Sequence, residues 1–123
     1  MRYVVNTLEN GSFNLSKEAI LFIAQRKGYG VVEIGDIYFF DKNDISYQIM
    51  TELPTDENRY VLVNKIDRTD TDLILAIDTL RHQMVEGPNC KLFVYQIDDN
   101  SKYYINECFG REILVETNLP SSI

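Results

Sequence analysis

The sequence predicts an α+β domain, with a mainly antiparallel sheet and two helices packed on one face. Three observations lead there. Short runs rich in β-branched and aromatic residues recur along the chain. Two longer segments carry apolar side chains at helical spacing between start and stop signals. Polar turn clusters such as Asp41-Lys42-Asn43-Asp44 and Asp98-Asp99-Asn100-Ser101 separate the strand-like runs.

Arg2 to Asn6 reads as the first strand, and Asn10-Gly11-Ser12 ends it. Ser16 is suited to cap a helix, because its side-chain oxygen can accept from an amide in the first turn. Leu15 and Ile20 flank that start as a hydrophobic staple. Ala19, Ile20, Ile23 and Ala24 form the apolar stripe, with Phe22 beside it. Arg26 and Lys27 suit the negative end of the helix dipole, and Gly28 supplies the C-terminal turn.

Val31–Ile34 and Asp36–Phe40 look extended. Ile45 to Leu53 alternates apolar and polar residues, which predicts a hairpin with the preceding run. Tyr60 to Ile66 reads as a further strand. A second helix begins at Thr69 or Asp70 and carries Leu73, Ile74, Ile77, Leu80 and Met84 on one stripe until Gly87-Pro88 stops it. Lys91–Ile97, Lys102–Phe109 and Glu112–Glu116 predict a closing three-strand meander. The segment after Thr117 reads as a loose tail.

The length of 123 residues suits one domain spanning 1–123 that can bury a core without staples. The formal net charge is −7, which opposes binding to a phosphate backbone. Direct nucleic-acid binding is therefore not expected; the excess charge suits solubility first, and beyond it attraction to a basic partner or mimicry of nucleic acid. No apolar run approaches the roughly 18 residues of a membrane span. No leader is read before Arg2-Tyr3-Val4-Val5, so the expected location is the cytoplasm, with Cys90 and Cys108 as free thiols.

Catalytic signatures are missing. The lone histidine, His82, could join Asp78 and Glu86 in a row at helical spacing, but a metal site needs more nitrogen or sulfur ligands. Neither a nucleophile elbow nor a cysteine–histidine motif is present, and Asp70/Asp72, Asp98/Asp99 and Glu112/Glu116 read as caps and solvated turns. Asp70, His82 and Glu107 would be the types needed for a hydrolase, with no motif behind them. No metal, cofactor or catalytic residue is expected.

One feature points to a ligand. Gly11, Ser12, Phe13 and Ser16 lie on a loop that runs from a strand into a helix start, the topology of an anion site. Arg68, just before the second helix, could add a bidentate contact to phosphate. The loop lacks the P-loop lysine and the dinucleotide glycine pattern.

Gly11-Ser12-Phe13-Asn14-Leu15-Ser16-Lys17-Glu18-Ala19, with Ala24-Gln25-Arg26-Lys27-Gly28, resembles a helical segment in a family of small phage and bacterial proteins. Arg68, Asp70, Asp72-Leu73-Ile74, Lys91 to Asp99, Tyr104-Ile105-Asn106-Glu107, Gly110 and Glu112 resemble the same family's C-terminal half. The likeness covers roughly the first 28 and last 55 residues. Residues 30–60 depart from it and read as an inserted hairpin. Thr71 and Ile97 stand where the family pattern has proline, which alters the turns there.

The resemblance implies a phage accessory protein of α+β fold and brings no catalytic residues. The expected function is non-enzymatic binding of a host protein or of a small anionic, nucleotide-like ligand, countering a host defence system. The alternative is an acidic module that masks a basic, nucleic-acid-binding surface of a host protein. A tyrosine-rich strand edge at Tyr103–Ile105 also invites a homodimer.

Overall fold

The computed structural model describes residues 1–117. The tail expected to be loose lies outside the described residues. The fold is α+β with mostly antiparallel pairing, as the sequence predicts. In chain order it runs β1 (Arg2–Asn6), α1 (Lys17–Lys27), β2 (Gly30–Ile34), β3 (Ile37–Asp41), β4 (Tyr47–Ile49), β5 (Tyr60–Leu62), a 3-10 turn (Val63–Lys65), α2 (Thr71–Leu80), α3 (His82–Val85), β6 (Leu92–Gln96), β7 (Tyr103–Cys108) and β8 (Arg111–Glu116).

The first helix forms as its sequence dictates. Ser16 is extended at ψ 157°, and its hydroxyl accepts from the Ala19 amide at 3.1 Å. Gly28 closes the helix at φ 73°, a left-handed conformation open to glycine, and its amide reaches the Ala24 and Gln25 carbonyls. Ala19, Ile20, Ile23 and Ala24 are buried. They join Val4, Leu15, Val31, Phe40, Leu73, Ile77 and Leu92 in one core drawn from both ends and the middle of the chain.

The strands divide into three ladders, and their partners differ from the expected ones. β1 pairs antiparallel with β6, so β6 is not part of a closing meander; β7 and β8 pair with each other alone. Residues 30–62 build a four-stranded ladder in the order β4-β2-β3-β5. Within it β2 and β3, two runs that the sequence reads only as extended, make a hairpin across Gly35. β4 does not fold back on β3. The loop after β3 carries the chain past β2, and β4 pairs parallel with β2 on its other side. Loop geometry decides this, and alternation of side chains cannot report it. The expected strand over 60–66 stops at Leu62, where the 3-10 turn begins.

Asp70, not Thr69, caps α2, accepting from the Asp72 and Leu73 amides. The expected single helix is broken at Arg81, which takes φ 72°, and the chain resumes as the four-residue α3. Met84 therefore leaves the apolar stripe and is exposed. α1 packs on α2, α3 and β2.

Candidate functional site

The loop from β1 to α1 is built by main-chain pairing with the segment after α3. The Ser16 amide donates to the Val85 carbonyl at 2.8 Å, and the Gly87 amide donates to the Asn14 carbonyl at 3.0 Å. Asn14 also donates through its side chain to the Pro88 carbonyl. The Ser12 amide donates to the Asn89 carbonyl at 3.0 Å. Gly11 lies so close to Asn89 that a Cβ there would overlap the Asn89 carbonyl oxygen, so this position requires glycine for packing.

The two segments wall a cleft of about 590 Å³ at the start of α1. Ser12, Ser16, Lys17, Asp36, Glu86 and Asn89 supply its polar lining. Ser16 accepts from Ala19 and donates its hydroxyl proton to the Met84 carbonyl. Among the described residues the amides of Lys17 and Glu18 have no hydrogen-bond acceptor. They are the first two donors of the helix, at the positive end of its dipole.

Lys17 and Tyr38 reach the cleft from a polar cluster on its flank. The Tyr47 hydroxyl donates to Glu33, the Lys17 ammonium lies 3.7 Å from the Glu33 carboxylate, and it sits 4.7 Å above the Tyr47 ring. The Tyr47 hydrogen bond comes first among the interactions that hold the Glu33 carboxyl below its usual range. The cluster ties β2 and β4 to the first turn of α1.

Phe13 and Arg68 do not line this cleft. Phe13 is buried, and the Arg68 guanidinium stacks 3.7 Å from its ring centre. Arg68 also forms a bidentate pair with Glu112, at 2.7 and 3.1 Å, and donates to the Val4 carbonyl. Of the predicted site residues the structure thus brings Ser12 and Ser16 together at the cleft, while Gly11 packs against Asn89 and Arg68 lies against Phe13. Glu112 is no solvated turn residue: it is largely buried, and one of its oxygens also accepts from the Asn6 amide.

Asn6 completes this polar node. It is fully buried. Its Nδ2 donates to the Leu8 and Gly110 carbonyls, and its Oδ1 accepts from the Leu8 and Lys91 amides. A lone asparagine at the end of a strand carries no sequence signal for such a role.

The other reactive types are engaged singly. His82 Nδ1 lies 3.2 Å from the Leu92 carbonyl oxygen, which places the ring proton on Nδ1. Asp78 pairs with Arg2, while His82 meets the Leu92 carbonyl and Glu86 accepts from the Leu92 amide, so Asp78, His82 and Glu86 are held by two different residues. Asp70 pairs with Lys27. Cys90 is buried and Cys108 exposed, both as free thiols. Burial pushes the Cys90 thiol up to about 11, which keeps it protonated at neutral pH. Among the described residues no three His, Cys, Asp or Glu side chains gather into a metal-binding group. No helix among them is long and apolar enough to cross a membrane.

Lys17, Asp36, Tyr38, Glu86 and Asn89 are the cleft residues that sequence reasoning misses. Lys17 was within reach, because it directly follows the cap Ser16. The others come from two separate segments, 36–38 and 86–89, with no shared motif. Compared with protein-family models, curated proteins and solved structures, the chain matches none.

Proposed function

We propose that this chain is a non-enzymatic binding protein that sequesters a small anionic, nucleotide-like ligand in the cleft at the start of α1. One observation carries the reading: the unclaimed Lys17 and Glu18 amides stand at the mouth of a helix dipole, beside the Lys17 ammonium and a cleft of about 590 Å³. Ser12 and Asn89 add neutral donors. Asp36 and Glu86 put acceptors on the same wall, which suits a ligand with hydroxyl or amino groups beside its phosphate better than a bare anion. Gly11 and Phe13 shape the loop, and Arg68 supports it from behind through Phe13. The phage setting implied by the sequence resemblance makes removal of a host signalling nucleotide, and so defeat of a defence system, the biological role of such binding.

A thermal-shift and calorimetric screen against mononucleotides, dinucleotides and cyclic nucleotides tests this. Ligand at a hundred times its Kd stabilises the fold by about 2.7 kcal/mol, a shift of several degrees. Lys17→Glu should abolish that shift. No shift with any nucleotide removes the ligand reading.

A second reading rests on the net charge of −7. An acidic module could cover a basic, nucleic-acid-binding surface of a host protein. Pull-downs from host lysate at low and high salt separate the two. Complexes that survive high salt unchanged count against charge mimicry.

A further inference from the structure

The middle ladder ends in an open edge, and that edge adjoins an apolar groove. The Val31 amide donates to the Ser46 carbonyl at 3.0 Å and the Met50 amide to the Glu33 carbonyl at 2.9 Å. Ser46, Gln48 and Met50 therefore turn their main chain toward β2, and Tyr47 and Ile49 turn theirs away. Among the described residues, no group accepts from or donates to the outward main chain of Tyr47 or Ile49. Edges of this kind are commonly guarded by lysine, proline or a bulge, and β4 has none of these.

The side chains add to the edge. Tyr47 and Ile49 stand opposite Val31 and Glu33, so they share the face of the ladder that carries α1. α1 reaches Tyr47 only through Lys17 and leaves Ile49 open. Ile45 is 80% exposed and Ile49 73%. Between α1 and β4 lies a groove of about 470 Å³ walled by Leu21, Ala24, Tyr29, Ile45 and Tyr47. A strand added beside β4 would lie about 5 Å from it and direct every second side chain into that groove.

Charge selects the occupant. Asp44 and Glu52 bracket β4, three residues before and after it, with no lysine or arginine between them. Glu18 precedes Leu21 by one helical turn on the groove side of α1. No lysine or arginine lines the groove; beside it Lys17 contacts Glu33 and the Tyr47 ring, and Arg26 pairs with Asp72. For a second copy of the chain, two-fold antiparallel pairing centred on Gln48 would set Asp44 against Glu52 twice, and like charges placed opposite each other destabilise a ladder.

We propose that β4 receives an extended segment of a partner protein, in which alternate apolar side chains enter the groove and flanking lysine or arginine residues meet the carboxylates. This is strand addition, with affinity from main-chain hydrogen bonds and selectivity from alternate side chains. It is a surface separate from the cleft at the start of α1.

The test uses the full chain and a fluorescent peptide that alternates valine or isoleucine with lysine. Two control peptides replace its lysines with glutamate or its central residue with proline. Anisotropy should show binding of the basic peptide, at least about tenfold weaker binding of both controls, and a similar loss with Ile49→Lys. Amide exchange should slow at Tyr47 and Ile49 on binding. No binding of the basic peptide, equal binding of the glutamate peptide, or binding indifferent to Ile49→Lys would each overturn the proposal. So would sedimentation showing a dimer that Ile49→Lys dissolves.

Discussion

The node around Asn6 and the edge at β4 are made of similar parts and left in opposite states. At the node every side-chain donor and acceptor of Asn6 is used, and the Arg68–Glu112 pair is shielded by Phe13 and by β1. At the edge, the main-chain groups of Tyr47 and Ile49 and the side chains of Ile45 and Ile49 have no partner among the described residues. Hydrogen bonding that is complete inside the fold contributes stability; groups left open are what a partner can use. Arg68 illustrates the point. Its residue type suggests a phosphate contact, but its donors are already placed on Glu112 and Val4.

That contrast predicts a ranking of mutational effects. Arg68→Ala should cost most, about 3 kcal/mol, because it strands a largely buried carboxylate. Urea denaturation measures it, and a cost under about 1 kcal/mol would mean the node is not closed as described. Asp41 comes next. It is buried and bidentate to Arg59 at 2.8 and 3.0 Å, and that guanidinium, ahead of the nearby amides, holds its carboxyl below the usual range. A carboxyl lowered by folding stabilises the native state while ionised. Its contribution is complete above the unfolded value of about 3.9 and fades as pH falls through the lower folded value. Asp41→Asn should therefore lower Tm at pH 7 and converge on the parent protein as the pH drops toward about 2. A constant difference across that range would sink the assignment.

Ser16→Ala should cost about 1 kcal/mol through loss of the α1 cap. Substitution by aspartate, another strong cap, tests whether capping rather than the Met84 contact matters. Least affected in stability should be Ile49→Lys, within about 0.5 kcal/mol by the same denaturation assay. That result would sharpen the contrast, since the same substitution should abolish peptide binding.

Much of the local structure could be read directly. α1 follows from Ser16, its apolar stripe and Gly28, all within a few residues of one another. The Gly11–Ser16 loop could be placed at a helix start for the same reason. Pairing across distance could not be read. β1 pairs with β6 rather than with a neighbour, and β4 runs parallel to β2, because packing of the whole chain decides which edges meet. The turn at Arg81 breaks α2 without glycine or proline, and nothing in its contacts explains the left-handed backbone there. The pairing of Arg68 could not be read for the related reason that its partner, Glu112, lies 44 positions away.

The β1–β6 ladder also has a consequence in time. It joins Arg2–Asn6 to Leu92–Gln96, so it cannot close until most of the chain has left the ribosome. β2, β3 and β5 lie within some thirty residues and face a smaller loop-closure cost. During synthesis Val4 and Val5, fully buried in the finished fold, must wait uncovered while the middle ladder is already free to assemble.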